Sequence, residues 1–350
     1  MVNTNDRSLL TIETISAIEE IPNADAIAAA KIRGWTVVVR KGEMAVGDQV
    51  IYFEIDSLLP LDDERFAFLA SRGEKVVDNK RFHRLKTACL RGCYSQGLIL
   101  PINQFNKEIT EYKNLPNNTI ECNNWLAARL GIEKYEMPIP VGSGNILGAF
   151  PSRLARKTDS ERIQNISNET WVEIQTDRYL WLATEKIDGT SVTYACDIDG
   201  QFHVAGRNWE IADGDNLYWN VARLYNIDKL LQPGEVVQGE IYGDGIQGNP
   251  LKVNEKHLAI FNYTINGAHK GRHWPKWIDE KKIGIPIYDI KLPNTIDECL
   301  LMSDDLHSLI NSQCLAEGIV WVNSNGREIA GLNYRSTFKV ISNKYLLKHE

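Results

Sequence analysis

The sequence predicts an α+β protein with two parts, a small N-terminal β-barrel followed by a larger domain of antiparallel strands. Short apolar runs separated by turn residues fill residues 8–60, and longer β-branched and aromatic runs recur between residues 179 and 342. A stretch rich in Pro and Gly at residues 137–144 separates the two series, as is common at a domain boundary. We therefore predict an N-terminal domain over residues 1–130, a linker over 131–150 and a second domain over 151–350.

The N-terminal strands are short and closely spaced. Apolar runs occupy residues 9–12, 35–39 and 49–55, with turn signals at Gly34 and Gly47. This spacing predicts a small β-barrel, and the pattern resembles an OB-fold whose last strand would be residues 96–101.

The densest basic segment of the first half is residues 79–91. It alternates cations with aromatic and apolar residues, which is typical of a groove that neutralises phosphates, although a solvated charged loop would have the same composition. The net charge of −7 gives no global basic signature, so any nucleic-acid binding must come from a local patch such as this one. We predict nucleic-acid binding for the N-terminal domain.

Composition excludes several classes of protein. The sequence contains no apolar run of membrane-spanning length and no signal-peptide pattern, which favours an intracellular, cytoplasmic protein with no membrane partner. The six cysteines have no paired C-x-x-C spacing, which favours reduced thiols over disulfides or a zinc site.

The second domain is organised around residues 185–190, Glu-Lys-Ile-Asp-Gly-Thr, between two runs that are typical of strands. Asp188 and Gly189 form a turn dipeptide, which predicts a hairpin that presents Lys186 and Asp188 side by side. Lys186 could serve as a nucleophile if nearby cations, a metal or desolvation removed its proton. Because the motif is short, a surface turn is the alternative interpretation.

Four later strands carry further charged or aromatic residues in a fixed order. Residues 235–242 contain Glu240, residues 258–265 contain Phe261, residues 317–322 begin with Glu317, and residues 337–342 contain Lys339. The series Lys-x-Asp-Gly, Gly-Glu-Ile-Tyr-Gly, Ile-Phe-Asn, Glu-Gly-Ile-Val and a final lysine-bearing strand resembles the motifs of the covalent lysyl-nucleotidyl transferase superfamily. The resemblance implies an antiparallel-sheet nucleotidyltransferase domain.

Within that superfamily, a barrel that precedes the transferase domain is similar to the ATP-dependent RNA ligases of the Deinococcus and Naegleria type. The resemblance implies an RNA-repair enzyme that uses ATP with Mg²⁺ or Mn²⁺. It would form lysyl-AMP, adenylate a 5′-phosphate and seal 3′-OH/5′-phosphate nicks with RNA on the 3′-OH side. The partner would be nicked duplex RNA or RNA/DNA, and we expect a monomer.

The resemblance also assigns roles to individual residues. Lys186 is the nucleophile, Lys339 contacts the α-phosphate, and Phe261 stacks on adenine, although a core strand residue is the alternative at that position. The metal ligands would be Asp188, Glu240 and Glu317. Nucleotide contacts would come from Glu185, Asp188, Gly189, Arg207, Glu240, Phe261, Glu317, Lys339 and Arg162.

Three further expectations concern Arg162, Lys344 and Asp304. Arg162 would bind the triphosphate or the 5′-phosphate of the nick, or form a surface salt bridge. Many relatives have a second lysine where this chain has Ile341, and Lys344 is the nearest replacement. The apolar spacing of residues 295–310 predicts a helix with Asp304 on its solvent face.

Two other functions are consistent with the motifs. One is a GTP-dependent mRNA-capping guanylyltransferase, and the other is a catalytically dead RNA-binding relative. The nucleotide that becomes attached to the protein, if any, distinguishes them.

Overall fold

The structure is a computed structural model that describes residues 8–115, 120–136, 144–271 and 273–349. The chain divides into two units, residues 1–138 and 139–349, and each unit is described by itself. No helix within these described ranges has the length and apolarity needed to cross a membrane.

The described residues of the first unit form short antiparallel strands and two α-helices. The strands are β1 Leu10–Thr14, β2 Ala17–Glu20, β3 Ile27–Ile32, β4 Trp35–Arg40, β5 Gln49–Phe53, β6 Ser57–Pro60, β7 Lys75–Val77, β8 Lys80–Arg84, β9 Thr87–Leu90, β10 Cys93–Gln96, β11 Leu98–Pro101 and β12 Glu133–Lys134. The helices are α1 Asn106–Tyr112 and α2 Ile120–Arg129. The strands pair in the orders β1-β5-β11, β2-β3-β4, β9-β10 and β12-β6-β8-β7.

Strand β5 contributes side chains to two apolar cores of this unit, one on each of its faces. Side chains alternate between the two faces of a strand. Ile51 and Phe53 belong to the apolar cluster that includes α2, whereas Val50 and Tyr52 belong to a second cluster around Trp35. The expected last strand, residues 96–101, corresponds to β11, which pairs with β5.

The predicted linker, residues 131–150, differs from the structure at both ends. Strand β12 pairs with β6 in the first unit, and β13, Ile146–Ala149, pairs with β18, Trp209–Ile211, in the second. Strands this short give no periodic sequence signal, which is why the prediction missed them. The Pro- and Gly-rich residues 137–143 lie outside the described residues.

In its described residues, the second unit contains two larger sheets and six α-helices. Its remaining strands are β14 Glu161–Arg162, β15 Trp181–Lys186, β16 Thr190–Cys196, β17 Phe202–Ala205, β19 Glu235–Gly243, β20 Lys256–Ile265, β21 Ala268–His269, β22 Ile287–Tyr288, β23 Gly318–Asn323 and β24 Thr337–Ile341. The helices are α3 Asn168–Thr176, α4 Leu217–Leu224, α5 Ile227–Leu230, α6 Lys276–Glu280, α7 Ile296–Asp304 and α8 Asn343–His349.

The sheets have the orders β13-β18-β17-β16-β19-β20-β21 and β14-β24-β23-β15-β22. All pairs are antiparallel except β14 with β24. Each sheet has its own apolar core, one around Val192 and Val237 with α4, and the other around Trp181, Trp321 and Phe338.

The predicted hairpin at Asp188-Gly189 is wrong. Strand β15 pairs with β22 and β23 in the five-stranded sheet, whereas β16 pairs with β17 and β19 in the seven-stranded sheet. Residues 187–189 therefore carry the chain from one sheet to the other. Ile187 is buried in a cluster with Ala259 and Ile285, so the surface-turn interpretation is also wrong.

The helix predicted over residues 295–310 is shorter in the structure. Helix α7 begins after Thr295, which forms a capping box with Glu298, and ends at Asp304. Asp304 is buried, and its Oδ1 accepts hydrogen bonds from the backbone N–H groups of Asn343 and Lys344. This carboxylate therefore caps α8 and does not face solvent.

Candidate active site

Lys186 lies at the end of β15, where it contacts a carboxylate from the neighbouring strand. The antiparallel register places Lys186 opposite Gly318, and Glu317 immediately precedes that glycine. Lys186 Nζ donates to Glu317 Oε1 at 2.6 Å, while Glu317 Oε2 is buried without a hydrogen-bond partner. The two residues that the sequence predicted to be nucleophile and metal ligand are therefore in direct contact.

Two further carboxylates act on Lys186. Burial by itself would lower the pKa of Lys186, but the charges of Glu317, Asp188 and Glu240 outweigh this effect and raise the pKa above its ordinary value. Without a bound ligand, Lys186 is therefore an ammonium ion. We call Lys186, Asp188, Glu240 and Glu317 the lysine cluster.

Two carboxylates of the lysine cluster, Asp188 and Glu240, are held away from their usual ionisation range. Burial, with the charges of Glu317 and Asp188, raises the pKa of Glu240 to about 8. Burial and the charge of Glu317 raise the pKa of Asp188 to about 6. The charge of Glu317 thus makes both Asp188 and Glu240 harder to ionise, which favours the arrival of a cation.

Tyr345 is a member of the site that the sequence did not reveal. Its hydroxyl donates to Asp188 Oδ2 at 2.9 Å. It lies on α8, whose first turn is capped by Asp304. A lone tyrosine on a short helix carries no motif, so only the structure connects it to Asp188.

Gly189 and Gly318 are needed because other strands approach their Cα atoms closely. A Cβ atom at position 189 would overlap the carbonyl oxygen of Ile241, next to Glu240. A Cβ atom at position 318 would overlap the carbonyl oxygen of Val340. Gly189 therefore allows β19, which carries Glu240, to pass close to residue 189, and Gly318 allows β24, which carries Lys339, to pack against β23.

Glu185 is buried beside the lysine but is held by a different part of the chain. Its Oε2 accepts from the backbone N–H of Leu309 at 2.9 Å, and its Oε1 is buried without a hydrogen-bond partner. Burial raises the pKa of this carboxyl group. Oε1 is thus an acceptor available to a donor group of a ligand.

Arg162 and Lys339 are neighbours in the five-stranded sheet. The parallel pairing of β14 with β24 places them in register. Arg162 is 5% exposed, which excludes the surface salt bridge proposed as its alternative role. Two cations side by side on adjacent strands are suited to binding phosphate groups.

Arg207 follows β17 and is exposed. Its Nη2 donates to Asp159 Oδ1 at 2.7 Å. Its charge also acts on Glu240, where it opposes the larger effect of burial on the pKa. Arg207 therefore lies within electrostatic reach of the lysine cluster.

Phe261 lies on β20 and packs with the same apolar cluster as Ile187. It is only half-buried, so the interpretation as a simple core residue does not account for it fully. The guanidinium carbon of Arg335 lies 5.2 Å from the centroid of its ring.

Lys344, the nearest replacement for the second motif lysine, lies on the surface, unlike Ile341. Ile341 is buried, and Lys344 is exposed and pairs with Asp305, which is also exposed. Lys344 is thus engaged by a surface carboxylate.

The lysine cluster suits a divalent cation in its chemistry but does not form a complete cage. Carboxylate oxygens are the donors that Mg²⁺ and Mn²⁺ prefer, and Glu317 Oε2 is a buried oxygen without a partner. Among the described residues, however, no three His, Cys, Asp or Glu side chains lie close enough together to hold a metal ion. A cation at this site would therefore need further ligands from water or from a bound phosphate.

The basic segment of the first unit forms strands and is partly neutralised. Arg81 Nη2 donates to Glu74 Oε2 at 2.8 Å, and Arg84 Nη2 donates to Asp56 Oδ1 at 2.6 Å. Arg84 also lies over the ring of Tyr135, 4.0 Å from its centroid. The segment belongs to β8 and β9, so it is not the charged loop of the alternative interpretation.

Comparisons with known proteins match both units. A family model described as an OB-fold domain matches residues 9–102, and one described as RNA ligase matches residues 180–341. No curated protein matches the chain significantly.

Solved structures of the Naegleria gruberi RNA ligase are similar over nearly the whole chain. An apo mutant has a TM-score of 0.82 and 33% identity, and the match covers 98% of this chain and 98% of that one. The complex with pyrophosphate has a TM-score of 0.82 and 33% identity, with 98% and 99% covered. A mutant with ATP and Mn has a TM-score of 0.82 and 32% identity, with 97% and 99% covered.

These matches confirm the predicted architecture, an OB-fold followed by an α+β domain of antiparallel sheets, and the predicted resemblance to ligases of the Naegleria type. The chain belongs to the RNA ligase family and is a ligase.

Proposed function

We propose that this chain is an ATP-dependent RNA ligase that forms lysyl-AMP at Lys186, transfers the AMP to a 5′-phosphate, and seals nicks with RNA on the 3′-OH side. The observation that carries the proposal is the 2.6 Å contact of Lys186 Nζ with Glu317 Oε1 inside the lysine cluster. The similar Naegleria gruberi enzyme has been solved with ATP and Mn, with AMP and Mn, and with pyrophosphate.

In the first step, the Lys186 amine attacks the α-phosphorus of ATP. A phosphorus–nitrogen bond forms as the bond to the departing pyrophosphate breaks, so the two must be aligned. Glu317 holds the amine in place, and the ammonium ion must lose a proton before it attacks. A bound Mg²⁺ or Mn²⁺ would neutralise the carboxylates and the α-phosphate, which would lower the pKa of Lys186.

The remaining site residues bind and orient the nucleotide. We assign Lys339 and Arg162 to the phosphates, because they are adjacent cations on β24 and β14. Phe261 provides an aromatic surface for adenine. Glu185 Oε1, a buried acceptor without a partner, would accept a hydrogen bond from the exocyclic amine of the base.

The second and third steps transfer the AMP to the 5′-phosphate and then displace it by the 3′-hydroxyl. We propose that Asp188, Glu240 and Glu317 would hold a cation near the reacting phosphate, as the raised pKa values of Asp188 and Glu240 support. Nicked duplex RNA or RNA/DNA is the proposed partner. A cytoplasmic, monomeric enzyme is our proposal as well, and the free state of all six cysteines supports a reducing compartment.

The experiment that tests the proposal is covalent labelling. Purified protein is incubated with α-labelled ATP or GTP and Mn²⁺ or Mg²⁺, and wild type is compared with Lys186→Ala on a denaturing gel. We expect a label from ATP in the wild type only. A label from GTP alone would favour a capping enzyme, and no label from either nucleotide would favour a catalytically dead relative.

We also propose that the N-terminal domain binds nucleic acid and that the second domain carries the adenylation chemistry. Every residue assigned to adenylation lies within residues 139–349, which supports this division. Deletion of residues 1–138 is therefore expected to leave lysine adenylation largely intact and to impair nick sealing. Equal loss of both activities in the gel assays would contradict the division.

A further inference from the structure

Arg335 is a buried cation that the motifs did not indicate. It lies just before β24 and is 3% exposed. Its Nη2 donates to the carbonyl oxygen of Phe261 at 3.3 Å, and its Nε is buried without a hydrogen-bond partner. Within the described part of the chain, no carboxylate forms a salt bridge with it.

A buried guanidinium without a counter-ion is expensive, so its retention calls for a physical reason. Nearby titratable groups do not supply a negative charge. His269 is neutral, because burial and the charge of Arg335 lower its pKa to about 4. Burial raises the pKa of Tyr334, so its phenol stays protonated. The guanidinium carbon of Arg156 lies over the Tyr334 ring, 5.3 Å from its centroid.

The contact that Arg335 does make is with Phe261. The guanidinium carbon lies over the ring, 5.2 Å from the centroid, and the hydrogen bond to the Phe261 carbonyl fixes the same residue through its backbone. A cation over an aromatic face is attracted by the ring, more strongly where water is excluded. We call Arg335, Phe261, His269 and Tyr334 the arginine cluster.

We propose that Arg335 is a positioning residue for the nucleotide: it holds one face of the Phe261 ring and its backbone, so that the opposite face is presented to the purine base of ATP. This inference rests on the proposed function, in which Phe261 stacks on adenine. Ile187, next to the nucleophilic Lys186, packs in the same cluster as Phe261, so the ring is close to the reacting lysine.

The test measures nucleotide affinity without chemistry. The probe is α,β-methylene-ATP with Mn²⁺, which cannot release pyrophosphate, and binding is measured by calorimetry. Arg335→Met, Phe261→Leu and the double variant are compared with wild type. The matched control is Arg223→Met, since Arg223 also lies over an aromatic ring, at 5.3 Å from the centroid of Trp219, but outside the arginine cluster.

If Arg335 acts through Phe261, Arg335→Met weakens binding about tenfold, which equals about 1.4 kcal/mol. The same substitution then has no further effect in the Phe261→Leu background, and the control binds like wild type. Arg335→Lys keeps the charge but not the planar group, and recovers only part of the affinity. Unchanged affinity in Arg335→Met, or losses that multiply in the double variant, would overturn the proposal.

A purely structural role gives a different result. In that case Arg335→Met lowers the melting temperature and the maximal rate of lysine adenylation but leaves nucleotide affinity unchanged, and the proposal fails. Because binding is measured without adenylation, failure of the proposed function is distinguishable: wild type would then bind the analogue but form no covalent adduct with ATP.

Discussion

Two cations of the second unit are stabilised in opposite ways. Lys186 lies among three carboxylates that raise its pKa, whereas Arg335 has no carboxylate partner and lies over an aromatic ring. The lysine cluster is electrostatically adjustable, since its groups change charge when a cation or phosphate arrives. The arginine cluster is fixed, because a guanidinium stays protonated. Under the proposed function, the lysine cluster performs the chemistry and the arginine cluster orients the ligand.

The largest expected effect comes from breaking the lysine cluster. Glu317→Gln keeps the shape of the side chain but removes the negative charge that lies 2.6 Å from Lys186 Nζ. The pair is half-buried, and misplacing a reacting group can cost about a hundredfold in rate, so we expect adenylation to fall by roughly a hundredfold. Single-turnover labelling with ATP measures this rate.

The control for that variant is Glu173→Gln, which removes a carboxylate from the surface pair with Arg327. Exposed pairs of this type contribute little, so its adenylation rate should match wild type. Equal rates for Glu317→Gln and wild type would show that the contact is incidental.

A substitution at Gly189 tests whether the lysine cluster depends on close strand packing. A Cβ atom in Gly189→Ala would overlap the Ile241 carbonyl oxygen, and this backbone cannot move aside cheaply. We expect a loss of about 1–3 kcal/mol in the free energy of unfolding, together with slower adenylation. Denaturant titration measures the stability change. Gly148→Ala is the matched control, because nothing lies within 4 Å of its Cβ position, and it should be neutral.

The lysine cluster should make the stability of the protein depend on pH. In the metal-free protein, the pKa of Glu240 is raised to about 8 and that of Asp188 to about 6, so the folded state binds protons that the unfolded state has released. Stability therefore falls as the pH rises from the unfolded pKa values towards 8. The pKa of Lys186 is raised, so its contribution is lost only at still higher pH.

Thermal melts in the presence of a chelator measure this slope. Each kcal/mol lost should lower the melting temperature by roughly 2–4 °C. Glu240→Gln should flatten the fall between pH 6 and 8, since it removes the group with the highest carboxyl pKa. A wild-type melting temperature that does not change over this range would contradict the assigned shifts.

The sequence could indicate the lysine cluster because each of its members lies in a short motif with its own glycine. It could not indicate how the motifs meet. The Asp188-Gly189 dipeptide has the composition of a hairpin turn, yet β15 and β16 belong to different sheets, because the contacts that decide this come from β19 and β23, which follow much later in the chain.

The residues that sequence analysis missed or placed wrongly act through tertiary contacts alone. Tyr345 and Asp304 lie on short helical segments without a motif, and their partners are distant in sequence. Arg335 precedes a predicted strand, where a cation would ordinarily be assigned to solvent. Only its burial and the contact with Phe261 distinguish it from a surface arginine.

The smallest expected effect tests the arginine cluster by a route that needs no nucleotide. Burial and the charge of Arg335 together lower the pKa of His269 to about 4. Arg335→Met removes the second cause and leaves the first, so the pKa of His269 should rise but stay below its ordinary value of 6.5. Histidine ring signals followed by NMR measure the titration, and His269→Gln assigns the resonance. An unchanged titration would mean that the guanidinium lies elsewhere, and the contrast between a fixed and an adjustable cation would then lose its structural basis.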